Sequence, residues 1–177
     1  MERTSYTIRD ATEADAEAII TMHDQSWQDT YPNDAAGVSR DWVRRRVSRW
    51  QNPDKLEARR EQIRKSGQGK DMLYRIAQDE QGKVIGLISP FRNEEAQRVG
   101  AIYVDKQYHG TGLAQKLMDE IIAWADQSRP LELEVASYND RARAFYRKYG
   151  FQEIEGSEHK VHDVIPVVTM IRKGDNK

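Results

Sequence analysis

The sequence predicts a mixed α/β domain, a sheet with helices on both of its faces, and three observations carry that expectation. Apolar residues recur at every second position in several short runs and at helical spacing in several longer ones. The two kinds of run are interleaved: one strand, two helices, three strands, a helix, a strand, a helix and two strands. The length, 177 residues, suits a single domain with an ordinary core, and no repeat, low-complexity tract or linker divides it.

Residues 5–9 read as the first strand. Thr12 opens the first helix, with Asp15 three positions on as its capping-box partner. Ile19, Met22 and Trp27 fall on its buried face, and the turn cluster Tyr31-Pro32-Asn33-Asp34 ends it. Residues 39–65 read as helix broken at Asn52-Pro53, with Val43, Val47 and Trp50 on one stripe. The remainder of the segment 38–70 is dense in charge, and Gly67-Gln68-Gly69 closes it. The period then changes to two. Residues 72–78 and 84–90 form adjacent strands around the turn Asp79-Glu80-Gln81-Gly82-Lys83, and residues 97–105 form another. A helix over residues 112–127 carries Leu113, Leu117, Ile121 and Trp124 on one stripe, with Ala114, Met118 and Ile122 beside it, a width that suits packing on a sheet. Pro130 starts a strand with Leu131, Leu133 and Val135 on one side. Asn139 starts a short helix whose face carries Ala142, Phe145, Tyr146 and Tyr149, and Gly150 is placed for a left-handed cap. Residues 151–155 and 164–172 close the chain as strands.

Composition excludes several functions. The net charge of −1 gives no field for nucleic acid. With no cysteine there is no disulfide, thiolate metal site or cysteine nucleophile. The start Met1-Glu2-Arg3-Thr4-Ser5-Tyr6 has no apolar signal region, and no stretch reaches the roughly 20 apolar residues of a membrane span. A soluble, cytoplasmic protein is expected, with no nucleic-acid or membrane partner. His23, His109, His159 and His162 show no ligand spacing, so no metal is expected. Arg44-Arg45-Arg46 and Arg59-Arg60 read as solvated helix faces, the alternative being contact with an acidic partner. Trp27, Trp42 and Trp50 read as core, or one of them as the wall of an acceptor pocket by cation–π contact.

The most informative stretch is Gln107-Tyr108-His109-Gly110-Thr111-Gly112-Leu113-Ala114, which follows the apolar run Ala101-Ile102-Tyr103-Val104 and leads straight into a helix. Two glycines let backbone approach a ligand closely. The first N–H groups of a helix lack intrahelical partners, and the helix dipole adds about half a positive charge there. A strand, such a turn and a helix start therefore make a site for a diphosphate. Position 115 is Gln, so the three-glycine dinucleotide pattern fails, and no Gly-Lys-Ser/Thr follows to make a nucleotide P-loop.

Gln107, Gly110 and Gly112 match the acetyl-CoA loop Gln/Arg-x-x-Gly-x-Gly/Ala of the GNAT superfamily of N-acetyltransferases. Asn139, Ala142, Phe145, Tyr146, Gly150 and Phe151 match its second motif, Asn-x-x-Ala-x-x-Phe-Tyr-x-x-x-Gly-Phe, with a strand between the two. The chain thus resembles that superfamily, well over residues 72–172 and more loosely over 5–31, while nothing transfers to 38–70. The resemblance implies a mostly antiparallel sheet of six to seven strands, splayed between strands 4 and 5. It implies acetyl-CoA as co-substrate and no metal. The backbone N–H groups of residues 108–114 would hold the pyrophosphate, and Ile102, Tyr103 and Val104 would lie along the cofactor, with backbone N–H near Tyr103 and Val104 stabilising charge on the carbonyl oxygen. Asn139, as a bare helix cap contributing about 1 kcal/mol, would also bond the pantetheine arm or an ordered water. Tyr146, either a core aromatic or the catalytic residue, would donate to the departing sulfur.

The activity implied is transfer of acetyl to a primary amine of a small molecule or peptide by direct attack in a ternary complex. The absence of cysteine removes the usual covalent relay. An alkylammonium near pKa 10.4 is only about one part in two thousand neutral at pH 7, so a base, or a pocket that lowers this pKa, is needed, and Asp29, Glu134 or a water is the candidate base. A polyamine N-acetyltransferase is the first alternative. Trp27-Gln28-Asp29-Thr30-Tyr31 looks like a segment of bacterial members acting on small amines, with Asp24, Asp29 and Asp34 nearby. A non-catalytic acyl-CoA-binding sensor domain is the second, and a homodimer is left open.

Overall fold

The computed structural model describes residues 5–175. Among them the elements run β1 (Tyr6–Asp10), α1 (Ala16–Thr30), α2 (Arg40–Ser48), α3 (Pro53–Ser66), β2 (Arg75–Asp79), β3 (Val84–Ile88), β4 (Phe91–Arg92), β5 (Gln97–Arg98), β6 (Ile102–Val104), α4 (Leu113–Trp124), β7 (Leu131–Ala136), α5 (Asp140–Lys148), β8 (Gln152–Glu153), β9 (His159–Val161) and β10 (Ile165–Arg172). The expected mixed α/β architecture is present, and its splay is a division into two sheets. One is antiparallel in the order β1-β2-β3-β6; the other runs β4-β5-β7-β10-β8, with β9 on β10.

The run 97–105, one strand by its period, changes partner half-way. Arg98 pairs in parallel with Glu132 of β7, and the Val99 N–H donates to the Glu132 carbonyl at 2.9 Å. Ile102–Val104 pair instead with β3. Between them Gly100 has φ +65°, and a Cβ there would lie 2.2 Å from the Ser89 carbonyl oxygen. That approach is backbone on backbone, so only glycine fits.

Three apolar clusters fill the space on either face. On one face α4 lays Leu113, Leu117, Met118 and Ile121 over Ile85 and Ile88 of the first sheet and Leu133, Val135 and Met170 of the second, so one helix spans the gap. On the other face α1 and α3 pack Ile19, Met22 and Ile63 against Ile76, Val84 and Leu87. Beside them α2 packs Val43 and Val47 with Trp27 against Ala136, Ile165 and Val167. The break at Asn52-Pro53 is present, with Pro53 opening α3 where its missing N–H costs nothing.

Three elements differ from the sequence reading. The run 84–90 divides at Pro90, which ends β3 before β4. Of the run 151–155, only Gln152 and Glu153 form register pairs with β10, with one further bond from the Ile154 N–H to Thr169 O at 3.0 Å. The strand β9 carries no alternation long enough to announce it, and its turn residues His162 and Asp163 take φ +53° and +59°, a two-residue geometry that Asn-Gly usually supplies.

The Thr12–Asp15 capping box is formed, the Thr12 N–H donating to Asp15 Oδ2 at 2.7 Å. Arg9 donates to both Asp15 oxygens, at 2.8 and 2.7 Å. That bond from Arg9 does most to hold the Asp15 carboxyl at about 2, below its ordinary 3.8. A lowered folded-state pKa gives stability that is complete above the unfolded value and lost as pH falls through the folded one. Asp15→Asn is expected to cost on the order of 1–2 kcal/mol at neutral pH, discounted for the exposed guanidinium. The difference from wild type should vanish between about pH 4 and pH 2 in urea unfolding.

Candidate active site

A cleft of about 630 Å³ opens where the two sheets part. Its walls are the stretch 99–104 and the strand β7; α5 closes one end with Asn139, Ala142 and Tyr146, the loop at His109 and Gly110 borders it, and Thr30 and Tyr31 reach it from the end of α1.

The loop is built by local hydrogen bonds that leave a defined set of donors free. Asp105 caps a short turn by accepting from the Gln107 N–H at 2.9 Å, and Lys83 pairs with the same carboxylate at 2.7 Å. The N–H groups of Tyr108, His109 and Thr111 donate to Asp105, Lys106 and Tyr108 carbonyls at 2.8, 3.2 and 3.4 Å. Gly110 and Gly112 then turn the chain at φ +81° and +90°. The first bond inside α4 runs from the Lys116 N–H to Gly112 O at 3.1 Å. The N–H groups of Gly110, Gly112, Leu113, Ala114 and Gln115 are therefore without an acceptor among the described residues. No atom lies within 4 Å of where a Cβ would stand at Gly110 or Gly112. Open donors at a helix start, facing open space, fit a diphosphate. The donor set differs from residues 108–114: the turn uses Tyr108, His109 and Thr111 internally, and Gln115 joins at the other end.

The ladder of β6 sets what that strand offers. Ser89 N–H donates to Ala101 O at 2.9 Å and Asp105 N–H to Ile85 O at 2.8 Å, so Tyr103 faces Leu87 in a hydrogen-bonded pair. By the alternation of an antiparallel ladder, the N–H groups of Ile102 and Val104 turn toward the cleft, and that of Tyr103 does not.

The second motif delivers two side chains. Asn139 caps α5 by accepting from the Ala142 N–H at 3.1 Å, which leaves its amide NH₂ free. Tyr146 packs its ring edge-on to Phe145 and Phe151, with centroids 5.5 and 6.0 Å apart. Its hydroxyl has no hydrogen-bond partner among the described residues and lines the cleft. Burial pushes that phenol well up, and the neighbouring Tyr31 adds to the push.

Around Tyr31 and Tyr103 the cleft wall is aromatic. The Tyr31 and Tyr103 hydroxyls are 2.9 Å apart, and the Tyr138 hydroxyl donates to the Tyr31 carbonyl at 2.7 Å. Burial pushes the Tyr103 phenol to about 12. Behind it His23 accepts from the Trp27 indole N–H at 3.1 Å and stacks on Trp50 at 4.6 Å. Burial, with Arg59 beside it, draws the His23 imidazole to about 3. Trp27, Trp42 and Trp50 all belong to or pack on the α2 cluster, and none lines the cleft.

Of the two proposed carboxylate bases, Glu134 lines the cleft and sits 3.2 Å from His159 Nε2. Asp29 instead lines a separate groove with Asp24, Lys83 and Asp105. Asp34 does not line the cleft either. Two charged cleft residues escaped the sequence reading: Arg141 and Lys148 of α5. Their spacing of two helical turns, on the face of Phe145, was a readable sign. Among the described residues no helix is long and apolar enough to cross a membrane, and no group of three or more His, Asp or Glu is arranged to hold a metal ion.

Compared with known protein families, residues 38–173 match the acetyltransferase (GNAT) domain. The chain belongs to the GNAT acetyltransferase family. The match takes in the charged segment that gives α2 and α3. This GNAT chain is 37% identical over 70 residues to the N-alpha-acetyltransferase RimI of Mycobacterium tuberculosis, a stretch covering 40% of the chain and 41% of that relative. It is 34% identical over 74 residues to an uncharacterised N-acetyltransferase of Mycobacterium bovis, covering 40% and 47%. The aligned stretches thus span less than half of these relatives. In fold it is similar to the PaiA N-acetyltransferase of Thermoplasma acidophilum, solved with coenzyme A, at TM-score 0.75 and 22% identity over 96% of this chain and 99% of that one. The ribosomal-protein-alanine N-acetyltransferase of Brucella melitensis gives a TM-score of 0.68 at 22% identity, over 94% and 99%.

Gly110→Val places a branched side chain at φ +81° in front of the open donors. Calorimetry is expected to show coenzyme A affinity reduced at least about tenfold, with only about 1–2 kcal/mol of folding stability lost. Unaltered affinity would remove this loop from the coenzyme site.

Proposed function

We propose that this chain is an acetyl-CoA-dependent N-acetyltransferase that transfers the acetyl group directly to a primary amine of a small molecule or peptide. The observation that carries the reading is a single cleft in which free loop donors and the unpartnered Tyr146 hydroxyl face Tyr31 and Glu134. Coenzyme A, when bound, supplies an activated thioester carbonyl.

The residues divide the work. The free N–H groups from Gly110 to Gln115 hold the diphosphate, and the NH₂ of Asn139 bonds the pantetheine arm. Val104 and Ile102 N–H groups are placed for the negative charge that grows on the carbonyl oxygen as the amine nitrogen attacks. Glu134, directly or through one water, takes the proton that the amine must lose. The carbon–sulfur bond then breaks, and Tyr146 stabilises the leaving thiolate. Burial raises that phenol further above an ordinary thiol near 8.5, so it acts as a hydrogen-bond donor rather than giving up its proton.

A wall with one carboxylate favours an acceptor that is easy to deprotonate. A peptide α-amine near pKa 7.7–8.0 is on the order of a tenth neutral at pH 7, far more than a side-chain ammonium. The stretch of likeness to the mycobacterial N-alpha-acetyltransferase points the same way. A polyamine needs acidic groups along its length, and Asp24, Asp29 and Asp34 lie outside the cleft.

The test is thiol release from acetyl-CoA with a panel of N-terminal peptides, free amino acids and spermidine. Tyr146→Phe is expected to lower turnover on the order of a hundredfold with little change in coenzyme affinity. Glu134→Gln is expected to lower turnover at neutral pH, with the loss shrinking as rising pH deprotonates the free amine without help. Release that ignores every amine, in protein that binds coenzyme A, would leave the non-catalytic acyl-CoA-binding reading in its place.

A further inference from the structure

The three arginines of α5 are treated differently by the fold. Arg143 is paired with Glu153 at 2.7 Å and with Asp140 at 3.1 Å, and Arg147 is paired with Glu153 as well. Arg141 meets no carboxylate among the described residues. Its guanidinium lies along the ring of His109, Nη1 3.0 Å from Nδ1 and Nη2 3.3 Å from Nε2. The other ring nitrogen, Nε2, is 3.1 Å from the Val104 carbonyl and so carries the hydrogen. Nδ1 is then an acceptor, and the imidazole is neutral. A neutral ring orients a guanidinium without cancelling its charge. Arg141 is thus a whole positive charge fixed at the edge of the cleft. It touches the residue next to Gly110, where the series of free N–H donors begins.

We propose that Arg141 is a coenzyme-binding residue that meets the diphosphate beside the free loop donors, with His109 as the positioning residue that holds its fork in place. The inference rests on coenzyme A being the ligand. The loop supplies neutral donors and α5 supplies a cation next to them, so a diphosphate held at the loop is met by both. A planar fork suits two phosphate oxygens better than an ammonium does.

Calorimetry with coenzyme A, 3′-dephospho-coenzyme A and pantetheine tests this. Arg141→Ala is expected to weaken both nucleotide ligands about ten- to hundredfold and to leave pantetheine unchanged. Arg141→Lys should recover part of the loss. His109→Ala should cost less, and nothing further once Arg141 is Ala. Arg141 is exposed, so thermal unfolding should barely move. Equal affinities in wild type and Arg141→Ala would overturn the inference alone. A loss confined to coenzyme A, sparing the dephospho form, would also overturn it by assigning Arg141 to the 3′-phosphate. A wild-type protein that binds none of the three ligands would overturn the coenzyme reading, and this inference with it.

Discussion

The contact between Gly100 and the Ser89 carbonyl organises this molecule. A side chain at residue 100 would collide with backbone, so the chain crosses there at a distance only glycine allows. On one side of the crossing the strand belongs to β7; on the other it belongs to β3. Two sheets result where one would have closed. The cleft is the space between them, and the inward-turned N–H groups of β6 are groups a continuous sheet would have consumed. The helix α4 packs Leu113, Leu117, Met118 and Ile121 across both sheets, so the gap is opened by backbone and held open by apolar packing.

Around that gap, burial keeps the titratable groups uncharged. Phenols at Tyr31, Tyr103 and Tyr146 are pushed up, and the imidazole of His23 is pushed down. All four are therefore neutral at ordinary pH, and the interior reads as a dipolar lining. The full charges on its lining are Glu134 from β7 and Arg141 and Lys148 from α5, with Arg141 beside the glycine loop.

Much of this was readable from the chain. The glycine loop, the Asn139–Phe151 motif, the capping box and the Asn52-Pro53 break all depend on local chemistry, which sequence reports directly. The helical stripes also come out, since Leu113, Leu117 and Ile121 must share a face. What sequence could not report is partner choice. Residues 97–105 alternate like one strand, and nothing local marks a change of neighbour except a single glycine. The same limit applies to bases: Asp29 and Glu134 are equal as letters, and only the fold turns one into the cleft and the other into a different groove. The His162-Asp163 turn escaped because its residues lack the usual preference for the left-handed region.

Under the proposed transfer, the position of Glu134 would also bear on product release. An acceptor arrives as a cation, and a carboxylate in the wall attracts it. Acylation turns that nitrogen into a neutral amide, with no proton left for Glu134 to take. The attraction that recruits the reactant is thereby abolished by the reaction itself, so the same group that favours entry does nothing to retain what leaves.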